Sequence, residues 1–191
     1  MKPAADAALS GSTRARILQA AMRRFARQSY EATGLRDIAA DVGVNVAYVH
    51  RCFGSKERLF RAALEATLWP DGLFDGPGDG LAASLAREVL RQRDGGEIRA
   101  FDIVIHSFSS PEAARVMADL LAEEFVAPLT ERRGGLSARR ATLVAALLAG
   151  VGILRDVVGA APLREAGAGE LEPALAGIIE AIMAGGDEAA D

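Results

Sequence analysis

The chain has one cysteine, two histidines, one tryptophan and 5% aromatic residues among its 191. A single Cys excludes an intramolecular disulfide. Cys52 with only His50 and His106 cannot supply the ligands of a thiolate zinc site. Proline is also sparse, at seven residues, and only Pro128 sits inside a helical pattern, where it is expected to kink or end its helix. There is no positively charged, apolar leader: residues 1–12, MKPAADAALSGS, carry one Lys and no apolar run, so no signal peptide is expected. The longest apolar stretch, residues 141–154, falls short of the ~20 residues a bilayer span requires. No membrane partner and a cytoplasmic location are expected. Catalytic sets are missing as well. No Ser-centred elbow, no Gly-rich phosphate cradle and no clustered His or Cys is present, so neither an enzyme nor a cofactor or metal is expected.

What is abundant is alanine and leucine, and half of the residues are apolar. This composition fits packed helices rather than sheet. The formal net charge of −4 argues against a nucleic-acid partner until its distribution is considered. Residues 1–69 carry eleven basic and six acidic residues, a net +5, whereas residues 70–191 carry eleven and twenty, a net −9. A basic first third on an acidic remainder fits a chain whose first third meets phosphate.

The most informative segment is LRDIAADVGVNVAYVHRCF, residues 35–53. Leu35, Ile38, Ala39 and Val42 make one apolar helical face. Gly43 can take φ > 0 and stop that helix. Asn45 is a good N-cap for a second helix, in which Val49 and Phe53 are buried and Val46, Ala47, Tyr48, His50 and Arg51 face outward. Two short helices at a tight turn suit insertion of the second into a DNA major groove. An amphipathic helix with Ile17, Ala21 and Phe25 on one face precedes them, and Ser55 can cap a fourth helix starting at Lys56.

With Ile17-Leu18-x-Ala20-Ala21, Tyr30-x-Ala32-Thr33, Arg36-Asp37-Ile38-Ala39, Gly43-Val44, Phe53 and Ser55-Lys56-Glu57, residues 13–64 resemble the DNA-binding domain of the TetR family of transcriptional regulators. The resemblance implies that Tyr48 faces DNA and that Thr33 and Lys56 bond phosphate. Arg36, Asn45, Val46, Ala47, His50 and Arg51 complete the expected DNA face. His50 and Cys52 depart from the aromatic residues common in the family, and Gly34 is a weaker cap than Ser or Thr. A redox role for Cys52 is conceivable, but a small filler is the simpler reading.

Residues 70–80, PDGLFDGPGDG, read as a loop. Its aspartates lack the spacing of an EF-hand, so no calcium site is assigned. Five further helices are expected, at 81–93, 97–108, 111–131, 137–159 and 170–185. Ser110 and Ser137 are N-caps, and residues 134–135 are a break. The expected architecture is all-α with about nine helices: residues 1–12 disordered, 13–64 a helix-turn-helix domain, 65–185 a helical ligand-binding and dimerisation domain, and 186–191 a disordered tail.

The last two helices are rich in apolar and small residues. A homodimer interface built on Ala141, Ala145, Leu148, Ala149, Gly152, Leu175, Ile178 and Ile182 fits both the pattern and the resemblance. The alternative is that these residues only line the core of one protomer. The resemblance also implies a small-molecule effector. Trp69, Phe101, Asp102, His106, Phe108, Met117 and Phe125 are the candidate lining, and each aromatic could equally be plain core. The function expected is a sequence-specific DNA-binding regulator, a repressor released from an inverted-repeat operator by a hydrophobic or amphipathic molecule. Two other readings stay open: a helical ligand-binding or enzymatic protein with a vestigial DNA-binding head, and a nucleoid-associated protein that binds DNA without sequence preference.

Overall fold

The computed structural model describes residues 12–68, 73–74, 80–91, 97–166 and 168–185. Trp69, most of the expected loop at 70–80, and the expected disordered ends at 1–11 and 186–191 lie outside the described residues. Ser12 is described and caps the first helix, so the disorder expected over residues 1–12 does not extend to it. The described residues form helices joined by turns and irregular segments, with no strand among them. The nine expected helices are present, and one short additional segment occurs at Ala161–Glu165.

The chain divides into two compact units, residues 1–69 with 96–120, and residues 70–95 with 121–191. This differs from the division expected at residue 64. The reason is apolar packing: Ile103, Ala113 and Leu120 are buried in the same core as Ile17, Phe25, Ile38 and Phe60.

In the first unit, α1 (Thr13–Phe25), α2 (Leu35–Val42), α3 (Val46–Phe53) and α4 (Lys56–Glu65) are followed by α6 (Ala100–Ser107) and the segment that begins α7 (Pro111–Leu121). The core centres on three aromatics. Phe25 meets Phe60 edge-on at 4.9 Å, Tyr30 meets Phe60 edge-on at 5.1 Å, and Phe25 stacks on Tyr30 at 6.1 Å. Such pairs contribute about 0.5–1.5 kcal/mol each beyond the area they bury. Arg16 donates to the carbonyl of Val42 at 2.9 Å, and Arg24 pairs with Asp41 at 2.6 Å. These two contacts fasten α1 to the end of α2.

The second unit holds α5 (Leu81–Leu90), α8 (Ala127–Arg132), α9 (Ala138–Gly152), α10 (Ala161–Glu165) and α11 (Ala168–Ala184). Two π-helical stretches occur, Ala122–Val126 and Ile153–Val158. The first ends two residues before Pro128. A proline removes one backbone donor and crowds the carbonyl four residues back, so a wider turn there relieves the misfit. Thus Pro128 distorts the helix without ending it. Polar clamps hold the bundle. Arg87 pairs with Glu172 at 2.7 Å, Arg133 pairs with Glu180, Arg140 donates to the carbonyl of Ile182 at 2.9 Å, and Arg155 donates to that of Val89 at 3.1 Å.

Ala138–Val158 is 21 residues long and, by length and composition alone, apolar enough to cross a membrane, more than the run at 141–154 suggested. Ala141, Val144, Leu148 and Gly152 are buried in the second unit, while Leu143 and Leu154 are about half exposed.

Candidate nucleic-acid interface

The presentation of α3 follows from its ends. Gly43 adopts φ 74°, and its N–H bonds Ala40 O while Val44 N–H bonds Ala39 O, the paired bonds of a Schellman ending. Asn45 Oδ1 then accepts from Ala47 N at 2.8 Å and starts α3. Val49 and Phe53 are buried and fix the helix by its back face. The guanidinium of Arg14 lies 4.6 Å over the Phe53 ring and covers it from outside. Gly34 makes no side-chain cap, as its lack of a hydroxyl dictates.

The outward residues divide unequally. Ala47, His50 and Arg51 are exposed, while Val46, Tyr48 and Cys52 are half-buried and pack against the core. Tyr48 therefore stands lower on the surface than the resemblance implied. The guanidinium of Arg51 lies 5.1 Å over the Tyr48 ring. His50 Nδ1 is 3.0 Å from Gly54 O. A carbonyl only accepts, so this nitrogen carries the proton in the neutral ring and Nε2 is the acceptor. Arg36 is exposed on the first turn of α2.

Thr33 needs correction. Its side chain is fully buried, and its hydroxyl donates to Ser29 O at 3.0 Å. It orders the loop before α2 and presents no hydroxyl to a phosphate.

Lys56 opens α4, where Ser55 Oγ accepts from Arg58 N at 3.1 Å. Its ammonium sits 4.2 Å over the Tyr30 ring. Partial burial pulls its pKa down, and the Glu31 and Glu112 carboxylates oppose that shift. Glu31 is held below the usual carboxylate range, chiefly by the Ser110 hydroxyl and less by Lys56. The Ser110 hydroxyl carries one proton. Its approach to Glu112 is long, at 3.5 Å. Sequence reasoning missed this acidic surround, because Glu31 and Glu112 are eighty-one positions apart.

The expected ligand lining is divided between the two units. Asp102 caps α6: its carboxylate accepts from Arg99 N at 2.9 Å and faces the Arg99 guanidinium at 3.4 Å. It makes no pair with His106, which is exposed. Phe108 is 59% exposed. Phe101 and Met117 are half-buried in the first unit. Phe125 is buried in the second unit, edge-on to Phe74 at 5.7 Å. An open groove of about 1060 Å³ runs along α1 between Arg14 and Gln28, and none of the expected lining borders it.

Four of the eight residues expected at a dimer interface, Ala141, Leu148, Gly152 and Leu175, are buried inside the protomer. They belong to its own core, which corrects the face assigned from sequence. Ala145, Ala149 and Ile182 are half-buried, and only Ile178 is as much as half exposed. The outward stripe of α9 is Leu143, Ala146, Leu147 and Gly150, continued by Leu154 in the π-helical stretch that follows, and that of α11 is Ala174, Gly177, Ile178 and Ala181. A Cβ built on Gly150 or Gly177 meets nothing within 4 Å.

Comparison with known families decides the class. Residues 17–63 match the model of bacterial regulatory proteins of the tetR family, and residues 79–183 match the tetracyclin repressor-like C-terminal domain. The chain belongs to the TetR family. It is a DNA-binding transcriptional regulator, and the all-α fold is the one the TetR resemblance implied. Among solved structures it is similar to a TetR-family regulator from Streptomyces coelicolor A3, at 28% identity and a TM-score of 0.58 over 91% of this chain and 95% of that one. It also shares its fold with the multidrug-binding protein EbrR, solved with proflavin, at 20% identity and a TM-score of 0.55 over 90% and 99%. A putative TetR-family regulator from Rhodococcus sp. is similar at 20% identity and a TM-score of 0.52 over 90% and 98%. No curated protein matches the sequence.

Proposed function

We propose that this TetR-family protein is a homodimeric, cytoplasmic repressor that binds an inverted-repeat operator through α3 and is released by a hydrophobic or amphipathic organic molecule. One observation carries the DNA reading. The recognition helix is locked by Val49 and Phe53 and turns Ala47, His50 and Arg51 outward, with Arg36 exposed on the first turn of α2 and Lys56 at the start of α4. Two such heads on a two-fold axis place their recognition helices roughly 34–36 Å apart, one turn of DNA. A vestigial head would have no reason to keep an exposed arginine on this helix. A nucleoid protein would need only the phosphate contacts.

The partner for the dimer is a second copy of the chain. Leu143, Leu154 and Ile178 are each about half exposed on one helical stripe or the next, and a two-fold axis buries them against their own copies. Glycines and alanines between them allow the helices to approach closely. Phe101 and Met117, half-buried on α6 and α7, and the exposed His106 and Phe108 are the members of the expected lining that an effector can reach. The likeness to EbrR makes a planar aromatic cation a sensible first probe. Effector and operator would oppose one another by the same coupling factor.

The test is a reporter driven by a promoter overlapping the operator selected from random DNA. Expression falls when the protein is supplied and recovers on adding proflavin or another apolar compound from a panel. Activation of the reporter would reverse the proposed direction. Unchanged expression with tight binding in vitro would support a structural DNA-binding role instead.

A further inference from the structure

We infer that Arg51 reads a guanine in each half-site of the operator, and that Tyr48 positions it. The inference rests on α3 being the recognition helix and adds the base it selects.

Several polar groups at α3 are already committed. The Asn45 amide oxygen caps the helix through Ala47 N. His50 Nδ1 is tied to Gly54 O. The Tyr48 ring is half-buried against the core. Arg51 is exposed, and among the described residues its guanidinium has no ion pair. It lies against the Tyr48 ring face, 5.1 Å from the centroid. A ring face engages the guanidinium through its π cloud and leaves the N–H edge available.

Geometry gives that edge a direction. Side chains on a helix lean toward its N-terminus, so Arg51 extends back over the preceding turn. Ala47, one turn earlier, is exposed and has only a methyl group to fill that space. The N-terminal part of a recognition helix is the part nearest the base edges. A planar fork with parallel donors matches guanine O6 and N7, both acceptors in the major groove. Adenine and cytosine present an amino donor there, and a guanidinium has no acceptor to meet it. Holding the guanidinium on an anchored ring reduces the freedom lost when it binds.

The experiment uses the full-length protein. Sequences bound by wild type are selected from a random duplex library, and affinity is then measured for the best duplex with its half-site guanines replaced one at a time by 7-deazaguanine, which lacks the N7 acceptor. Wild type is expected to select a guanine in each half-site and to lose roughly 5- to 150-fold at that position. Arg51→Ala should bind more weakly and show no response to the 7-deaza substitution. Tyr48→Phe should keep the wild-type response, and Tyr48→Ala should reduce it. Arg51 is exposed, so helical circular dichroism should be unchanged in its variant. The inference is overturned if Arg51→Ala keeps both the wild-type consensus and its 7-deaza response while its salt slope falls by about 0.9; Arg51 would then bind phosphate. If wild type selects no sequence at all, the operator reading itself fails along with the inference.

Discussion

Gly150→Arg tests the dimer face without disturbing the protomer. Gly150 lies in the outward stripe of α9, and nothing stands within 4 Å of a Cβ placed there. The variant should therefore fold. It should even gain a few tenths of a kcal/mol or more of helix propensity, since Gly is about 1 kcal/mol worse than Ala in a helix interior and Arg is close to Ala. In the dimer the same position meets a symmetry-related helix at close range. Leu143, Leu154 and Ile178 are 53%, 48% and 50% exposed in the protomer. Covering about half of such a side chain contributes roughly 1 kcal/mol. Three residues on each of two protomers then give about 6 kcal/mol before the entropy of association is subtracted. An arginine on the seam, desolvated and unpaired, costs several kcal/mol. A loss of about 4 kcal/mol weakens the dimer on the order of 1000-fold. Sedimentation at micromolar concentration should show a dimer for wild type and a monomer for the variant, with the same helical circular dichroism. Leu148→Ala is the control. Leu148 is 1% exposed and belongs to the protomer core, so its loss should lower thermal stability by about 2–5 kcal/mol. A monomeric wild type would refute the reasoning, as would a Gly150→Arg variant that dimerises like wild type.

Other expectations are equally specific. Gly43→Ala forces a Cβ into the left-handed region at φ 74° and should cost about 1–2 kcal/mol in urea unfolding, with weaker DNA binding because the turn sets α3. Lys56→Ala should weaken binding to all sequences alike and lower the slope of log K against log salt by about 0.9 in a titration. Burial, with Glu57 and Glu112 behind it, pushes the Tyr30 phenol up to about 12 from 10.0. The neutral form is favoured in the folded state, so its stabilisation is complete below pH 10 and is lost as pH rises through about 12. Tyr30→Phe should flatten the decline of stability measured across that window, where wild type should lose on the order of 2 kcal/mol.

The helix-turn-helix was legible in the sequence because each of its parts has a local cause. Gly43, Asn45, Ser55, Ser110 and Ser137 end or start helices through bonds within a few residues, and the buried set Ile17, Phe25, Ile38, Val49 and Phe53 follows helical spacing. The dimer face was not legible at the level of residues. Along 141–154 the stripe through Ala141, Ala145, Leu148 and Gly152 and the stripe through Leu143, Leu147, Gly150 and Leu154 are both apolar, so spacing cannot say which one faces α5 and α11. Tertiary contacts decide it. Thr33 was misread for a related reason. A threonine before a helix suits a phosphate contact and a loop bond equally, and burial selects the loop bond. Asp102 and His106 stand i, i+4 apart, a spacing that suits a side-chain pair, yet the helix start offers the Arg99 backbone N–H three residues away and takes the carboxylate.

Sequence discrimination by α3 is the central claim, and competition binding measures it most directly. A labelled duplex carrying the selected inverted repeat is challenged with the same duplex scrambled in sequence, at two salt concentrations. The account predicts that the scrambled competitor is weaker by a factor on the order of 1000 or more at physiological salt, with two protomers bound per repeat. Equal competition by the two duplexes at both salts would contradict it.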